Sequence, residues 1–180
     1  MKRSQIIIDL IRDNINVSQA MDILNALLND MKNEKIKKWL DNEKNGYGAK
    51  DKIPEYRIVH GQIMGNVINY TLKVTGTNIP VKPEFKEHFT KIEVKAGISD
   101  IVQLSIAEKE TKNHSLTNPI ELDVINDISL VEGQVTHAHT ELSIYAHTNI
   151  LNDIKNKLVN LYRAILSLVC PTFITGDMFC

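Results

Sequence analysis

The sequence predicts an α+β fold: a helical N-terminal part, a small and mostly antiparallel sheet, and a long C-terminal amphipathic helix. Three observations predict it. Apolar residues recur at helical spacing from Ile6 to Leu40. The pattern loosens to alternation between Tyr56 and Val74 and again from Val135, which is the period of a strand. Helical spacing returns from Ile150 to Leu166.

The helical subregion is expected over residues 4–45 as three short helices. Ile6, Ile7, Leu10, Ile11 and Ile15 share one face. After a polar break at Asn14–Val17, Ser18 is the expected N-cap of a second helix carrying Met21, Leu24, Leu27, Leu28 and Met31. Asn33 caps a third, with Ile36, Trp39, Leu40 and Glu43 in phase. Gly46 is expected to end it with positive φ, because glycine alone adopts that conformation cheaply. Lys32, Lys35, Lys37 and Lys38 read as a solvated helix face rather than a phosphate site.

The α+β subregion is expected over residues 54–170. Pro54 biases Ile53 towards extended backbone. A strand is expected through Tyr56–Gly61, and a second through Val67–Val74. The stretch "GTNIPVKPEF" carries two prolines and reads as a connection. Lys91–Lys95 reads as a short strand, Gly97–Glu108 as a helix, "NHSLTNP" as a loop and Ile120–Ile128 as a helix. Gly133 interrupts the chain before a strand over Val135–Tyr145. Thr148 or Asn149 is the expected cap of the last helix, with Ile150, Leu151, Ile154, Leu158, Leu161, Ile165 and Leu166 on its buried side and Pro171 stopping it. Residues 171–180 are expected as a C-terminal tail, and residues 1–170 as one domain.

The composition is that of a globular chain: 180 residues, 43% hydrophobic and 24% charged. A formal net charge of -1 supplies no overall field for nucleic acid or an anionic membrane. The N-terminal isoleucines are interrupted by Asp9 and Arg12 with no small-residue cleavage site behind them, which argues against a signal peptide. No run approaches the roughly 20 apolar residues a membrane span needs. The two cysteines, Cys170 and Cys180, form no disulfide framework, so a cytoplasmic setting is expected. Neither stands near a base in a structured pocket, which disfavours a nucleophile.

One run carries a more specific signal. Trp39-Leu40, Glu43, Asn45-Gly46-Tyr47, Pro54-Glu55-Tyr56-Arg57, Gly61 and Gly65 follow each other at close spacing. This run resembles the AbiTii domain family, associated with abortive-infection and other phage-defence proteins of bacteria. Its members carry Trp-x-x-x-Glu-Leu-Asn-Gly-Tyr, an acidic loop and Pro-x-Tyr-Arg. Lys44 stands here in place of the usual leucine. The likeness continues through "GISDIVQL", "NPIELDVIND" and "NILNDIKNKLVNLYRAIL", but "VTHAHTELSIYAHT" has histidines where an aromatic is expected. The resemblance implies a phage-defence module and brings no catalytic residues with it.

Two constellations bear on chemistry. Tyr47 with Tyr56 and Arg57 joins aromatic rings to a guanidinium, the tools for recognising a base or phosphate. The preferred reading packs Tyr47 back on its helix and pairs Arg57 with Glu43 or Glu55. On a strand, His137, His139 and Glu141 share a face about 6.6 Å apart, with His147 nearby. Two imidazoles and a carboxylate are adequate zinc ligands; a polar strand face is the commoner outcome. No bound metal and no cofactor are therefore expected. The preferred function is a non-enzymatic module working through a protein partner or as a homo-oligomer, its dimer interface on the N- or C-terminal helices. The alternative is a small metal-dependent or nucleic-acid-processing enzyme using the His137/His139/Glu141 face.

Overall fold

The structure is a computed structural model that describes residues 3–28, 33–110, 117–143 and 145–169. The fold is α+β with a long C-terminal helix, as the periodicity predicts. The chain divides into two compact units. One draws on the described residues of Met1–Lys52, Lys95–Gln103 and Thr148–Cys180, the other on Ile53–Val94 and Leu104–His147.

In the first unit, helix α1 (Arg3–Ile11) stops earlier than its apolar spacing implies. Asp13 takes a φ of 58°. The Asn14 amide donates to the Asp9 carbonyl at 2.8 Å, and the Asp13 amide to Leu10 at 3.4 Å. This is a Schellman closure with aspartate in the position glycine usually fills. Ile15 consequently lies outside the helix whose phase it matches. Helix α2 (Val17–Leu28) begins before Ser18, so Ser18 is not its cap. Asn16 is: its Oδ1 accepts from the Gln19 amide at 2.8 Å, while Gln19 Oε1 accepts from the Asn16 amide at 2.9 Å. Such a reciprocal capping box satisfies donors that a helix start leaves open. Met31 lies outside the described residues. Helix α3 (Glu34–Asn45) is capped by Asn33, whose Oδ1 accepts from the Ile36 amide at 3.3 Å, and ends at Gly46.

Helix α7 (Ala146–Val169) starts ahead of both expected caps, Thr148 and Asn149. Its buried line in the first unit runs Ile150, Ile154, Leu158, Tyr162 and Ile165. Leu151, Leu161 and Leu166 are half-buried, and none of the helix's described large apolar side chains is exposed. Pro171 lies outside the described residues. Lys155 of α7 donates to the Ile11 carbonyl at 3.4 Å and to Asp13 at 2.5 Å, closing the end of α1. Lys157 sits 5.1 Å above the Trp39 ring of α3, a cation–π contact. Helix α5 (Ile98–Glu110) gives Ile98–Gln103 to this unit.

The second unit holds two antiparallel sheets. Strands β1 (Ile58–His60) and β4 (Lys91–Glu93) form one. Strands β2 (Gln62–Asn69), β3 (Leu72–Asn78), β5 (Thr117–Pro119) and β6 (Gln134–Glu141) form the other, in the order β3-β2-β6-β5. Four expectations are corrected here. The last three residues of "NHSLTNP", read as a loop, form β5. Tyr56 and Arg57 lie in a 3-10 turn, Glu55–Arg57, before the strand begins. Val67–Val74 is not one strand but two arms of a hairpin, because Tyr70 takes a φ of 50° and reverses the chain. The connection "GTNIPVKPEF" contains the end of β3 and the start of helix α4 (Pro83–Thr90). Pro83 stands in the first turn of α4, where its missing N–H is not needed.

The core of this unit joins Ile63, Val67, Ile79, Val135 and Ala138 to Ile125 and Ile128 of helix α6 (Leu122–Ile128). Val135 and Ala138 both point inward although three residues apart, because the register slips between Asn66 and Val67 and leaves Thr136 as an extra residue. Asn126 of α6 fills the gap beside the bulge. Its carboxamide donates to the Val135 carbonyl at 3.0 Å and accepts from the Val135 amide at 2.8 Å, as a neighbouring strand would.

The phenol of Tyr162 donates to the Ala20 carbonyl at 2.5 Å and is almost fully buried. Burial opposes its ionisation and pushes its pKa well above the ordinary 10.0. The folded state therefore keeps a proton that the unfolded chain releases above that pH. The stabilisation is complete below pH 10 and is lost as pH rises further. Tyr162→Phe is expected to cost on the order of 1 kcal/mol at pH 7. It should also flatten the alkaline loss, which for the wild type approaches about 1.4 kcal/mol per pH unit. Urea melts at pH 7 and pH 11 measure both; equal alkaline slopes would contradict the assignment.

Candidate functional site

The run from Trp39 to Arg57 is used inside the fold. Gly46 ends α3 with the positive φ expected, 95°, and at ψ 167° its backbone is extended in a region open only to glycine. A Cβ there would stand 2.7 Å from the Lys95 carbonyl oxygen, and one on Gly97 would stand 2.6 Å from the Lys44 oxygen. Two glycines thus let backbone pass against backbone, and the Tyr47 amide donates to Lys95 O at 2.9 Å across that contact. Tyr47 is buried, and its hydroxyl donates to the equally buried Glu43 at 2.5 Å, one turn back. The loop that follows is closed by Asp51. Its carboxylate is held below the ordinary range by the Gly48 amide at 2.9 Å, then by Lys38 at 3.2 Å.

In the second unit Arg57 is fully buried. Its guanidinium donates to Val94 O at 3.1 Å, while the Val94 amide donates to Arg57 O at 2.9 Å. Tyr56 is half-buried. The structure therefore places Tyr47 and Arg57 each in the interior of its own unit.

The histidine strand is different. Val135, Ala138 and Thr140 face the core, and His137, His139 and Glu141 face the other way. The register sets Asn66, Met64 and Gln62 of β2 opposite them in that order. The two imidazole rings lie 5.2 Å apart, tilted by 49°. His139 Nδ1 is buried and has no hydrogen-bond partner among the described residues. Beside the face, His60, Gln62, Glu141, Leu142 and Ser143 line a polar pocket of about 390 Å³. A second cleft of about 420 Å³ is lined by Phe89, Ile92, Pro119 and Val124 with His88 and Lys91 among its polar groups. Among the described residues, no group of three or more His, Cys, Asp or Glu side chains is placed to hold a metal ion. What the face does offer is a pair of adjacent imidazoles and a carboxylate beside a polar hollow.

A family model described as AbiTii matches residues 4–166. The chain belongs to the AbiTii family. The family's name connects it with abortive infection, a bacterial defence against phage. No curated protein and no solved structure matches the chain.

The residues by which the chain resembles AbiTii proteins have physical tasks in the fold. Gly46 permits the close passage at Lys95, and Glu43 and Tyr47 bond each other beneath it. Gly61 lies under strand β6, where a Cβ would come within 2.7 Å of Glu141 O, and Gly65 lies tighter still beneath His137 O. The pocket residues His60, Gln62 and Ser143 carried no signal in the sequence, because only the β2–β6 register brings Gln62 beside Glu141. Cys170 and Cys180 lie outside the described residues.

Gly46→Val is expected to destabilise this AbiTii chain by more than about 1 kcal/mol, through both the positive φ and the collision with Lys95 O. Tyr47→Phe removes a donor from a buried carboxylate and should cost roughly 1–3 kcal/mol. Urea denaturation would show lower midpoints at unchanged slope. A wild-type midpoint for Gly46→Val would refute the close-passage account.

Proposed function

We propose that this AbiTii chain is a non-enzymatic module of bacterial phage defence, acting in the cytoplasm by protein–protein contact as a sensor or scaffold. One observation carries the reading. The most distinctive residues of its family-like run, Glu43, Gly46, Tyr47 and Arg57, are turned inward and bonded, so they build a shape rather than present reactive groups. A catalytic side chain has to reach its substrate. Contact surface exists elsewhere: Tyr70 at the tip of the β2–β3 hairpin is exposed, as are Leu72 and Val74, which share one face of β3, and clustered exposed apolar side chains mark interaction sites. The module needs no cofactor in this reading, and its partner is a protein, a second copy included, rather than nucleic acid or a membrane. Among the described residues no helix is long and apolar enough to cross a membrane.

The enzymatic alternative rests on the unpartnered His139 Nδ1 beside His137 and the polar pocket at Glu141. Plaque counts on a phage-sensitive bacterium expressing the chain separate the two. A triple variant, His137→Ala with His139→Ala and Glu141→Ala, is expected to keep full protection. Tyr70→Asp is expected to lose most of it while keeping the wild-type circular dichroism spectrum. Loss of protection by a folded triple variant would overturn the contact reading in favour of chemistry on the histidine face.

A further inference from the structure

We propose that the free edge of strand β3 is a self-association surface: two copies of the chain pair their β3 strands antiparallel about a two-fold axis at Val74, joining two four-stranded sheets into one. The proposal rests on the contact-module reading and names its partner as a second copy.

Among the described residues strand β3 is outermost in its sheet and pairs only with β2. The pair Asn69 and Leu72 closes the hairpin, and Val67 pairs with Val74. By antiparallel alternation, Leu72 and Val74 turn their backbone groups towards β2, and Lys73 and Thr75 turn theirs to the free side. Beyond Thr75 the register shifts. Gly76 takes a φ of 61°, and its amide is bonded by Asn66 Oδ1 at 3.0 Å. This bulge ends the regular edge. The edge therefore offers the polar groups of two residues, one position apart, to an extended backbone with the same spacing.

Charge chooses the register. Lys73 is the one charged residue of the strand. A two-fold axis at Lys73 would set two ammonium groups opposite each other, which is unfavourable. An axis at Thr75 would run the pairing into the bulge. With the axis at Val74, Lys73 of each copy faces Thr75 of the other, and each such pair exchanges two N–H···O bonds. Leu72 then falls opposite Gly76 of the second copy, where a Cβ would find nothing within 4 Å, so the space for it is open. Leu72 and Val74, now 69% and 47% exposed, cover each other across the axis. Tyr70, 99% exposed at the hairpin tip, flanks them.

Light scattering of the full chain over a concentration series is expected to show mass rising from one copy to two. Val74→Lys places two ammonium groups across the axis and should weaken the dimer by roughly tenfold or more; circular dichroism checks that it folds. Val74→Cys, in a chain with Cys170→Ser and Cys180→Ser, places thiols at a non-hydrogen-bonded pair with Cα atoms about 4.5 Å apart. Mild oxidation should link it into a covalent dimer, and the matching Thr75→Cys chain should stay unlinked. A one-copy mass at every concentration overturns the proposal, as does a dimer that Val74→Lys leaves equally tight or that Val74→Cys fails to link. Such results leave the contact reading standing while plaque counts still support it.

Discussion

The first unit depends on one contact in which backbone meets backbone with no side chain between. Gly46 and Tyr47 lie against Lys95, Ala96 and Gly97, fixed by the Tyr47 amide on Lys95 O at 2.9 Å. The contact decides where α3 stops and where α5 can start, because Gly97 also accepts the first amides of that helix at 3.1 Å. It fixes Tyr47 where its hydroxyl meets Glu43, so a buried carboxylate has a donor close by. Each glycine is required by the other segment's carbonyl. Neither requirement is local, and this explains why the unusual backbone at Gly46 is stable although its own helix gives no reason for it.

The second unit solves a different problem, which is how a single strand serves two faces. Strand β6 is central, flanked by β2 and β5. The extra residue Thr136 shifts its phase, so Val135 joins the core without turning His137 and His139 inward. Gly61, Gly65 and Gly133 let neighbouring backbone approach β2 and its turn more closely than a Cβ allows. Among the described residues strand β5 pairs with β6 at His139–Glu141, and the carboxamide of Asn126 serves Val135 further along. The polar histidine face follows from this arrangement of bulge and glycines.

Periodicity made the helices legible, because an apolar stripe every three or four residues has one physical cause. Their ends were less so. Asp13 in a left-handed turn and Asn16 as a cap are both polar residues whose role depends on amides within a few positions, and several candidates compete for each. The hairpin at Tyr70 was invisible for a clearer reason. Turns of that kind announce themselves by glycine or asparagine at the reversing position, and a tyrosine there gives the opposite cue. At the candidate site, the shared face of His137, His139 and Glu141 was readable from strand alternation alone. Its pocket was not, since Gln62 and Glu141 are distant in sequence and meet only through the register. The interior placement of Arg57 was equally hidden, because an arginine beside a tyrosine reads as surface chemistry until the carbonyl it serves, Val94, is located.

Neither unit is a continuous stretch of chain. The first is assembled from three segments and the second from two, and the chain passes between them four times. Genetic exchange moves contiguous pieces of coding sequence, so no single crossover or insertion can carry off one unit and leave the other whole. One family model accordingly takes in segments of both units, from residue 4 to 166.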